Sequence, residues 1–373
     1  MKKDWTYKKL GEVTKIKTGK LDANASSEDG IYPFFTCSKE PLRISSYSYD
    51  CECVLVAGNG DLNVKYYKGK FDAYQRTYVI ETTPDSGVMT YYMYHFFNKY
   101  IETLRQKSIG GIIKYIKLGD LTEATIPIPP ISIQESIVRE LDAIHGILEK
   151  KQEQLRELDN LAQAIFYEMF GDPITNPMGW EIKKLGECFP YIKNGANIKQ
   201  DRNAGGIPIT RIETLSGGVF NRHKLGYADI FELGKYEHYV LSDGDLLLSH
   251  INSKIYIGRT VEYKKYGNEQ IIHGMNLLCL KADKEILSST YFAYFTHCEK
   301  FKNDIARIRK DAVNQSSISI SDLKNFSLPL PPLSLQQSFA AKIEAIEAQK
   351  QAVQQSIREV EALLAQRMDH YFN

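Results

Sequence analysis

The stretch I-P-I-P-P-I-S-I-Q-E at residues 126–135 occurs a second time as L-P-L-P-P-L-S-L-Q-Q at residues 328–337. The two copies are 202 positions apart, and the same offset aligns the polar segments that follow them, without a gap, as far as Phe170 and Phe372. An internal repeat of this kind determines an architecture before any single element does. It divides the chain into a lobe, a long segment, a second lobe and a second long segment.

Each repeated stretch predicts the start of a helix. A proline pair cannot lie inside a helix, and it favours an extended conformation for the residue before it. Ser132 with Glu135, and Ser334 with Gln337, have the spacing of a capping box. We therefore expect the two helices to begin at these serines. At about 1.5 Å per residue, each helix would be roughly 55 to 60 Å long.

Apolar residues recur at alternating intervals of four and three along both segments, which is the pattern of a coiled-coil seam held for about five heptads. Lys151 interrupts the seam in the first copy, and Lys350 and Arg367 interrupt it in the second. Such interruptions lower stability but help to fix register and partner. The predicted seam positions are Ile137, Leu141, Ile144, Leu148, Leu155, Leu158, Ala162, Ile165 and Met169, then Phe339, Ile343, Ile346, Val353, Ile357, Val360, Leu364 and Tyr371.

Two arrangements of these helices fit the pattern. One is a pair of separate coiled coils that join two copies of the chain. The other is an antiparallel pair within one chain, which we predict because the helices are equal in length and a lobe precedes each. The predicted fold class is α+β: two mixed α/β lobes separated by two long helices that form an antiparallel intramolecular coiled coil, with a pseudo-two-fold repeat. The predicted boundaries are 1–130 for lobe one, 131–170 for the first helix, 171–330 for lobe two and 331–373 for the second helix.

The two lobes share a frame but differ in content. Lobe one begins W-T-Y-K-K-L-G-E-V at residues 5–13, and lobe two begins W-E-I-K-K-L-G-E-C at residues 180–188. Each continues through a Lys/Gly stretch that ends at Gly19 or Gly195, and each has a late aromatic helix, predicted over 90–107 and 290–309. The middle of each lobe has almost no sequence in common with the other. Such a pattern is expected of two readers of different targets, although two duplicated domains that drifted would look the same.

Composition and charge restrict the class of protein. The chain has 43% hydrophobic residues, no apolar run of the length of a membrane span, and no apolar core behind its charged N-terminus, so we expect a cytoplasmic protein. The six cysteines lack the spacing of a zinc site or a disulfide framework, and we expect reduced thiols. Residues 1–130 and 171–330 each carry an excess of three positive charges, whereas the two helical segments together carry an excess of five negative charges. Basic lobes suit nucleic acid, and acidic helices suit a protein partner.

A search for catalytic motifs finds none that is specific. A Walker loop, G-x-G-x-x-G, H-E-x-x-H and G-x-S-x-G are all absent from the sequence. The tetrad N-P-M-G at residues 176–179 is superficially similar to a methyltransferase loop, but it lacks the second proline and the aromatic residue, so we predict a linker. We interpret the carboxylates as strand-end and turn residues and the histidines as structural; they are Asp50, Glu52, Asp61, His250, His273 and His297.

The chain resembles the specificity subunit of a type I restriction-modification system. The resemblance is carried by the repeated P-P-[IL]-S-[IL]-Q-[EQ] stretch before each helix, the M-F-G-D-P…N-P-M-G-W junction, the W-x-x-K-K-L-G-E lobe starts, and L-S-D-G-D-L-L-L-S in lobe two. It implies two target-recognition domains that read a bipartite DNA target, with spacer helices that set the gap between the half-sites. It also implies two modification (methyltransferase) subunits and restriction/translocase subunits as partners. S-adenosylmethionine, ATP and Mg²⁺ would then belong to those partners, and this chain would hold no cofactor and no metal and would not be catalytic. The alternative is a self-contained or type IIB-like DNA methyltransferase or nuclease component.

The resemblance does not transfer individual base-reading residues, so DNA contacts are predicted from chemistry. Arginine and lysine suit guanine and phosphate, and asparagine and glutamine suit adenine. We favour the loop after each aromatic helix, and add basic residues elsewhere in the lobes as secondary candidates. The loop candidates are Lys107, Ser108, Gly110, Gly111 and Lys114 in lobe one and Arg307, Arg309, Lys310, Asn314 and Gln315 in lobe two. The secondary candidates are Lys17, Lys20, Lys65, Arg76, Lys193, Arg211 and Lys254.

Overall fold

The computed structural model describes residues 5–111, 113–312 and 315–373. The chain divides into two compact units: unit 1 comprises Met1–Gln154 with Val353–Asn373, and unit 2 comprises Leu155–Ala352. This division passes through both long helices, so the predicted boundaries between lobes and helices stay predictions. Each unit contains one lobe and a part of each long helix.

The lobe of unit 1 is a mixed α/β structure built around one sheet. Strands at 14–18, 77–82, 49–57, 64–73, 32–35 and 42–44 form that sheet, in this spatial order. The first strand of the lobe pairs instead with its last, beside the first proline pair. The elements are β1 (Thr6–Lys9), α1 (Leu10–Val13), β2 (Thr14–Thr18), a 3-10 helix (Ala23–Ala25), β3 (Tyr32–Phe35), β4 (Leu42–Ile44), β5 (Tyr49–Ala57), β6 (Val64–Ala73), β7 (Thr77–Thr82), α2 (Thr90–Lys107), α3 (Leu118–Thr122), β8 (Thr125–Ile128) and then the long helix α4 (Ile131–Phe170).

The lobe of unit 2 repeats this plan with shorter strands. Strands at 191–194, 277–281, 246–249 and 260–262 form an antiparallel sheet in this order, and the first and last strands of the lobe again pair with each other. The elements are β9 (Glu181–Lys184), α5 (Leu185–Cys188), β10 (Tyr191–Asn194), β11 (Pro208–Ile209), β12 (Gly226–Tyr227), β13 (Leu246–Ser249), β14 (Ile251–Asn252), β15 (Thr260–Glu262), β16 (Leu277–Lys281), α6 (Ser289–Phe295), α7 (Glu299–Ile308), β17 (Lys310–Asp311), β18 (Ser316–Ser317), α8 (Ile320–Lys324), β19 (Ser327–Leu330) and the long helix α9 (Leu333–Phe372), with 3-10 helices at Ile212–Gly218, Arg222–Lys224 and Gly234–Tyr239.

The Lys/Gly stretch of each lobe ends at a close backbone contact that requires glycine. A Cβ atom at Gly19 would lie 2.0 Å from the carbonyl oxygen of Ala73, and one at Gly195 would lie 2.2 Å from the carbonyl oxygen of His273. Because backbone atoms cannot yield as a flexible side chain can, any larger residue would displace the neighbouring strand end. The two lobes therefore share the same constraint at equivalent positions of their sheets.

The late aromatic helix differs between the units. In unit 1 it spans Thr90–Lys107, as predicted. The single helix predicted over 290–309 is wrong, because unit 2 has α6 and α7 separated at residues 296–298. At the break, the Thr296 hydroxyl donates to the carbonyl of Ala293 at 2.6 Å, a side-chain bond that competes with helix continuation. Phe295 and Phe301 pack edge-on across the break, with ring centroids 5.9 Å apart.

The two long helices begin one residue before the predicted serines. The carbonyl of Pro130 accepts from the N–H groups of Ile133 and Gln134 at 2.9 and 3.1 Å, and the carbonyl of Pro332 accepts the equivalent pair. The proline, and not the serine, is therefore the N-cap residue. The predicted capping box is wrong, and a side chain further into the helix secures its start.

That side chain in unit 1 is Gln134, which is fully buried. Its Oε1 accepts from the N–H of Met89, the residue before α2, at 2.9 Å. Its Nε2 donates to the carbonyls of Gly87 at 2.6 Å and Pro129 at 2.8 Å. One glutamine thus joins the start of the long helix to the start of the aromatic helix.

Gln336 makes the same three bonds in unit 2 and is also fully buried. Its Oε1 accepts from the N–H of Ser288 at 2.9 Å, and its Nε2 donates to the carbonyls of Ile286 at 3.0 Å and Pro331 at 2.7 Å. Because Ser288 is the N-cap residue of α6, the joint connects equivalent elements in both units.

A buried tyrosine makes a second repeated joint. The Tyr92 hydroxyl donates to the carbonyl of Pro127 at 2.9 Å, and the Tyr291 hydroxyl donates to the carbonyl of Pro329 at 2.6 Å. Each proline lies in the strand that precedes the proline pair, where a missing N–H is tolerated at a sheet edge. The repeated stretch is therefore the point at which strand, aromatic helix and long helix meet.

The long helices pair with each other inside the chain. In unit 1, Arg367 of α9 forms an ion pair with Glu140 of α4 at 2.8 Å. In unit 2, Lys350 forms an ion pair with Asp159 at 2.8 Å, and the ring of Phe339 packs against that of Phe166. Later residues of α4 in unit 2 thus meet earlier residues of α9, which confirms the antiparallel intramolecular arrangement. Two of the predicted seam interruptions, Lys350 and Arg367, each meet a carboxylate of the other helix. Among the described residues, none of the helices is both long enough and apolar enough to cross a membrane.

Candidate nucleic-acid interface

The loop that follows α2 in unit 1 is a hairpin. Ile109 and Tyr115 exchange both backbone hydrogen bonds, at 3.0 and 2.8 Å. Gly110 has φ of 120°, and a Cβ atom there would lie 2.5 Å from the carbonyl oxygen of Ile113. The tight return therefore depends on glycine. We call residues 109–111 and 113–115 hairpin 1.

Hairpin 1 lies against the turns of the main sheet. Tyr115 bridges to Asn59, two residues beyond the end of β5, and the carbonyl of Lys114 accepts from the N–H of Gly60 at 2.9 Å. The N–H of Gly58 in turn donates to the carbonyl of Arg76 at 2.7 Å. The β5–β6 turn, the β6–β7 turn and the hairpin thus meet at one edge of unit 1.

The structure brings most of the predicted residues of lobe one to this edge. Gly110, Gly111 and Lys114 are exposed on hairpin 1, and Arg76 is exposed on the adjoining turn. Ser108 at its base donates to the carbonyl of Arg105 at 2.6 Å.

Four further lysines of lobe one differ in exposure and in their side-chain contacts. Lys107 ends α2 and donates to the Tyr100 hydroxyl at 3.1 Å. Lys65 is half-buried beside the β5–β6 turn, and burial lowers its pKa. Lys20 is exposed, and the carbonyl of the next residue, Leu21, accepts from the N–H of Gln75 in the β6–β7 turn. Lys17, on β2, forms an ion pair with Glu81 at 3.3 Å and has no described contact with hairpin 1.

Unit 2 builds an equivalent hairpin from β17 and β18. Lys310 pairs with Ser317 and Asp311 with Ser316. The second arm, β18, pairs with β14, which extends from the central strand β13. We call residues 310–312 and 315–317 hairpin 2. In both units, the second arm of the hairpin after the aromatic helix pairs with residues just after the central strand of the lobe.

An aspartate organises the basic residues around hairpin 2. Both oxygens of Asp311 accept from Arg309, at 2.6 and 3.2 Å, and one also accepts from the Ser316 hydroxyl at 2.7 Å. Lys254, from the loop after β14, lies 3.7 Å from the same carboxylate. These bonds, above all those from Arg309, lower the pKa of Asp311 to about 2. Arg309 is therefore engaged in holding the hairpin, whereas Lys254 keeps 68% of its side chain exposed.

A groove with a volume of about 610 Å³ runs beside hairpin 2. Among the described residues, four lysine and arginine side chains line it together with His297, and none of these lining residues carries a carboxylate. Arg259 lies over the ring of Tyr256, 4.6 Å from its centroid, and donates to the carbonyl of Leu215 at 3.3 Å. The basic residues are Lys254, Arg259, Lys302 and Arg309.

The predicted residues of lobe two are only partly gathered. Lys254, Arg309, Lys310 and Gln315 lie at hairpin 2 or at the groove, and Asn314 lies outside the described residues. Arg307 on α7 forms an ion pair with Asp304 at 3.1 Å. The remaining two are elsewhere in the lobe: Lys193 lies over the ring of Tyr191 on β10, and Arg211 pairs with Glu213 at 3.3 Å.

A family model described as the Type I restriction modification DNA specificity domain matches residues 2–158 and 177–362. The chain belongs to this family. Each matched segment contains one lobe, one hairpin and the start of one long helix, so the repeat in the sequence corresponds to two segments of this specificity-domain chain.

Known proteins similar to this specificity-domain chain extend over its whole length. The type I restriction enzyme EcoDI specificity subunit of Escherichia coli is 27% identical over 382 residues, covering 95% of this chain and 84% of the relative. The crystal structure of a type I restriction-modification S subunit from M. genitalium covers 99% of this chain and 96% of its own, with a TM-score of 0.57 and 14% identity. A solved structure from work on complex assembly and conformational transition of a type I R-M system covers 100% and 98%, with a TM-score of 0.59 and 19% identity. At these identities the structural matches establish the fold.

Membership of the specificity-domain family supports the predicted DNA-recognition role over the alternative of a self-contained methyltransferase or nuclease component. Two of the three carboxylates weighed as catalytic, Glu52 and Asp61, form ion pairs. Glu52 pairs with Lys68 at 3.0 Å, and Asp61 lies 3.7 Å from Arg105. The Asn176 side chain bonds both the N–H and the carbonyl of Trp180, which fastens the junction after α4.

Sequence reasoning missed two of the four groove cations in this specificity-domain chain. Arg259 and Lys302 come from different elements and carry no motif. Arg259 follows Lys254 by five positions, so a count of basic residues around the central strands would have found it. Lys302 has no such signal, because only the fold of α7 brings it to the groove.

Stability of unit 2 is expected to fall between pH 6.5 and 5. His250 and His273 are buried, and burial lowers the pKa of both to about 4. In the unfolded chain, both histidines become protonated below the ordinary histidine pKa of about 6.5, whereas in the folded protein they stay neutral. Each histidine therefore lowers the free energy of unfolding by on the order of 2 to 3 kcal/mol by pH 4. Urea unfolding followed by Trp180 fluorescence in a Trp5→Phe background measures the loss.

The pH range of the stability loss distinguishes the histidines from the carboxylates. Glu269 has its pKa lowered to about 2 by its bonds from Arg222, so stability from this carboxylate is lost only below about pH 4.5. His250→Asn should remove about half of the loss between pH 6.5 and 5, because His273 still contributes, whereas the same change at the exposed His223 should leave the loss unchanged. An undiminished loss in His250→Asn would contradict the assignment.

Proposed function

We propose that the chain recognises a bipartite double-stranded DNA target, one half-site by each unit, as the specificity subunit of a type I restriction-modification complex. The observation that carries the proposal is the repeated hairpin. In both units its second arm pairs with residues just after the central strand, and basic side chains lie around it. The exposed residues differ, with Lys114 and two glycines in unit 1 and Lys254 with Lys310 in unit 2. A common frame with unlike surfaces suits two readers of unlike half-sites.

The two kinds of side chain at these edges suit two kinds of DNA contact. Lysine and arginine around the two hairpins suit contacts with phosphates, and such contacts give affinity and register without sequence information. Lys107 and Lys114 stand at the base and the second arm of hairpin 1, as Lys254 and Lys310 stand around hairpin 2. Side chains between these basic residues would reach base edges and supply specificity.

Assembly with other subunits completes the proposed function. Two modification subunits and restriction/translocase subunits would bind this chain in the cytoplasm, and S-adenosylmethionine, ATP and Mg²⁺ would be held by those partners. Among the described residues, no group of three or more His, Cys, Asp or Glu side chains is placed to hold a metal ion. The long helices carry the acidic excess of the chain, which offers the partners a surface distinct from the basic hairpin edges.

Exchange of residues 1–130 with those of a relative of different specificity is expected to change one half of the methylated target and leave the other half unchanged. The reason is that hairpin 1 and its adjoining turns all lie within this segment. Sequencing of modified bases, in a host that expresses the chain with its modification subunits, gives both halves directly.

The matched control exchanges residues 171–330, which should change only the other half. A change in both halves after either exchange would contradict the two-reader proposal. Methyl transfer by the purified chain without modification subunits would contradict the assignment as a recognition subunit.

A further inference from the structure

Ile255 is an aliphatic residue in a conspicuous place. Its side chain is 77% exposed, at the tip of the loop after β14 and at the wall of the basic groove. Lys254 precedes it with 68% exposure, and Tyr256 follows it with its ring against Arg259. Exposure of this isoleucine to water is unfavourable, because full burial of such a side chain would contribute about 1.5 to 3 kcal/mol of free energy.

The loop that carries Ile255 is held firmly. The N–H of Tyr256 donates to the carbonyl of Ser253 at 2.9 Å, and the N–H of Gly258 donates to the carbonyl of Ser249 at 2.8 Å. Ile257, two residues on, is buried. Because β14, at the root of the loop, pairs with hairpin 2, the position of Ile255 is set relative to the hairpin.

We infer that Ile255 contacts the 5-methyl group of a thymine in the half-site that unit 2 reads. The inference rests on the proposed function. The cations around the residue suit a phosphate backbone, which brings the loop against base edges. The thymine methyl is the apolar group that base edges of unmodified DNA present in the major groove, and apolar side chains read it by contact.

Contact with a methyl group fits the structure better than insertion between base pairs. Insertion unstacks a base step at a cost of about a few kcal/mol, which a wedge must resist. With 77% of its side chain exposed, Ile255 has little packing behind it to resist that cost. A methyl contact requires no deformation of the duplex. Unit 1 presents a comparable pair, Ile113 beside Lys114 on hairpin 1, with Ile113 62% exposed.

A thymine-to-uracil scan tests the inference, because uracil removes only the methyl group and keeps base pairing. The half-site is first taken from sequencing of modified bases, and each thymine of the unit 2 half is replaced in turn. Binding of these duplexes is measured with the chain assembled with its modification subunits. At one position, wild-type affinity should fall about 3- to 10-fold.

The variant Ile255→Ala should show the same loss on thymine DNA and no further loss on that uracil duplex. Ile31→Ala is the matched control, since Ile31 is 75% exposed in unit 1 and should behave as wild type in this scan. A unit 2 half-site without an A·T pair, an Ile255→Ala complex with wild-type affinity, or equal losses from Ile255→Ala on thymine and uracil duplexes would each overturn the inference. The last result would indicate insertion. Absence of any bipartite target would overturn the proposed function as well, whereas these outcomes with an intact bipartite target leave that function standing.

Discussion

Gln134→Leu is expected to lower the free energy of unfolding of unit 1 by about 3 to 6 kcal/mol. Leucine has a similar volume but no hydrogen-bonding groups, so the N–H of Met89 and the carbonyls of Gly87 and Pro129 lose their bonds to this side chain. Each buried polar group left unsatisfied costs about 1 to 3 kcal/mol. The same substitution removes the tie between the starts of α2 and α4.

The measurement uses the distribution of tryptophan, because Trp5 lies in unit 1 and Trp180 in unit 2. Urea unfolding followed by Trp5 fluorescence in a Trp180→Phe background reports unit 1. Gln152→Leu, at an exposed position of the same helix, is the control and should shift stability by no more than about 0.5 kcal/mol. A loss below about 1 kcal/mol for Gln134→Leu would show that the joint does not stabilise the unit.

Phe166→Ala is expected to lower the free energy of unfolding of unit 2 by about 3 to 5 kcal/mol, the range for truncating a buried phenylalanine. The Phe166 ring is fully buried. It stacks on Tyr291 with centroids 5.5 Å apart and packs edge-on against Phe339 at 5.7 Å and at an angle against Phe170 at 5.1 Å. Alanine would leave a cavity among these three aromatic rings that cannot close without moving α6 or α9.

Phe231→Ala is the matched control, because Phe231 is 79% exposed and its truncation leaves no comparable cavity. Trp180 fluorescence in a Trp5→Phe background follows unit 2. The double variant Phe166→Ala/Phe339→Ala should lose less than the sum of the two single variants, since both lose the same ring contact. Strict additivity would indicate that the two rings do not stabilise each other.

Sequence periodicity predicts the buried residues of the long helices only in part. Ile137, Leu141, Phe339 and Ile343 are buried, as the heptad pattern predicts. Near the helix ends the pattern is wrong: the buried residues are Phe166, Phe170, Met368 and Phe372, whereas Met169 and Tyr371 are only half-buried. At these ends the aromatic helix of the lobe also covers the long helix, as Phe372 against Tyr92 shows. A straight helix also drifts away from a strict seven-residue repeat.

The edges that we propose for DNA binding also combine features that the sequence predicted with features that it did not. The position of the basic loops after the aromatic helices follows from the order of residues along the chain, and so does their glycine content. The sequence does not predict that each loop is a hairpin whose second arm pairs with residues just after the central strand, because the pairing of Tyr115 with Asn59 joins residues far apart in sequence. The bond of Arg309 to Asp311 was also not predicted, although it decides that this arginine holds the hairpin.

The sequence by itself determined the duplication, the two long helices, the mixed α/β class of the lobes and the family, because repeats, proline punctuation and helical periodicity are local signals. Only the tertiary structure decided what secures the repeated stretch. Gln134 lies near the start of its helix, three residues before the seam position Ile137, and its bond to Met89 joins residues 45 positions apart. A buried hydrogen bond of that kind depends on which surfaces the fold brings together, and a side chain has the same local propensities whether or not its distant partner is present.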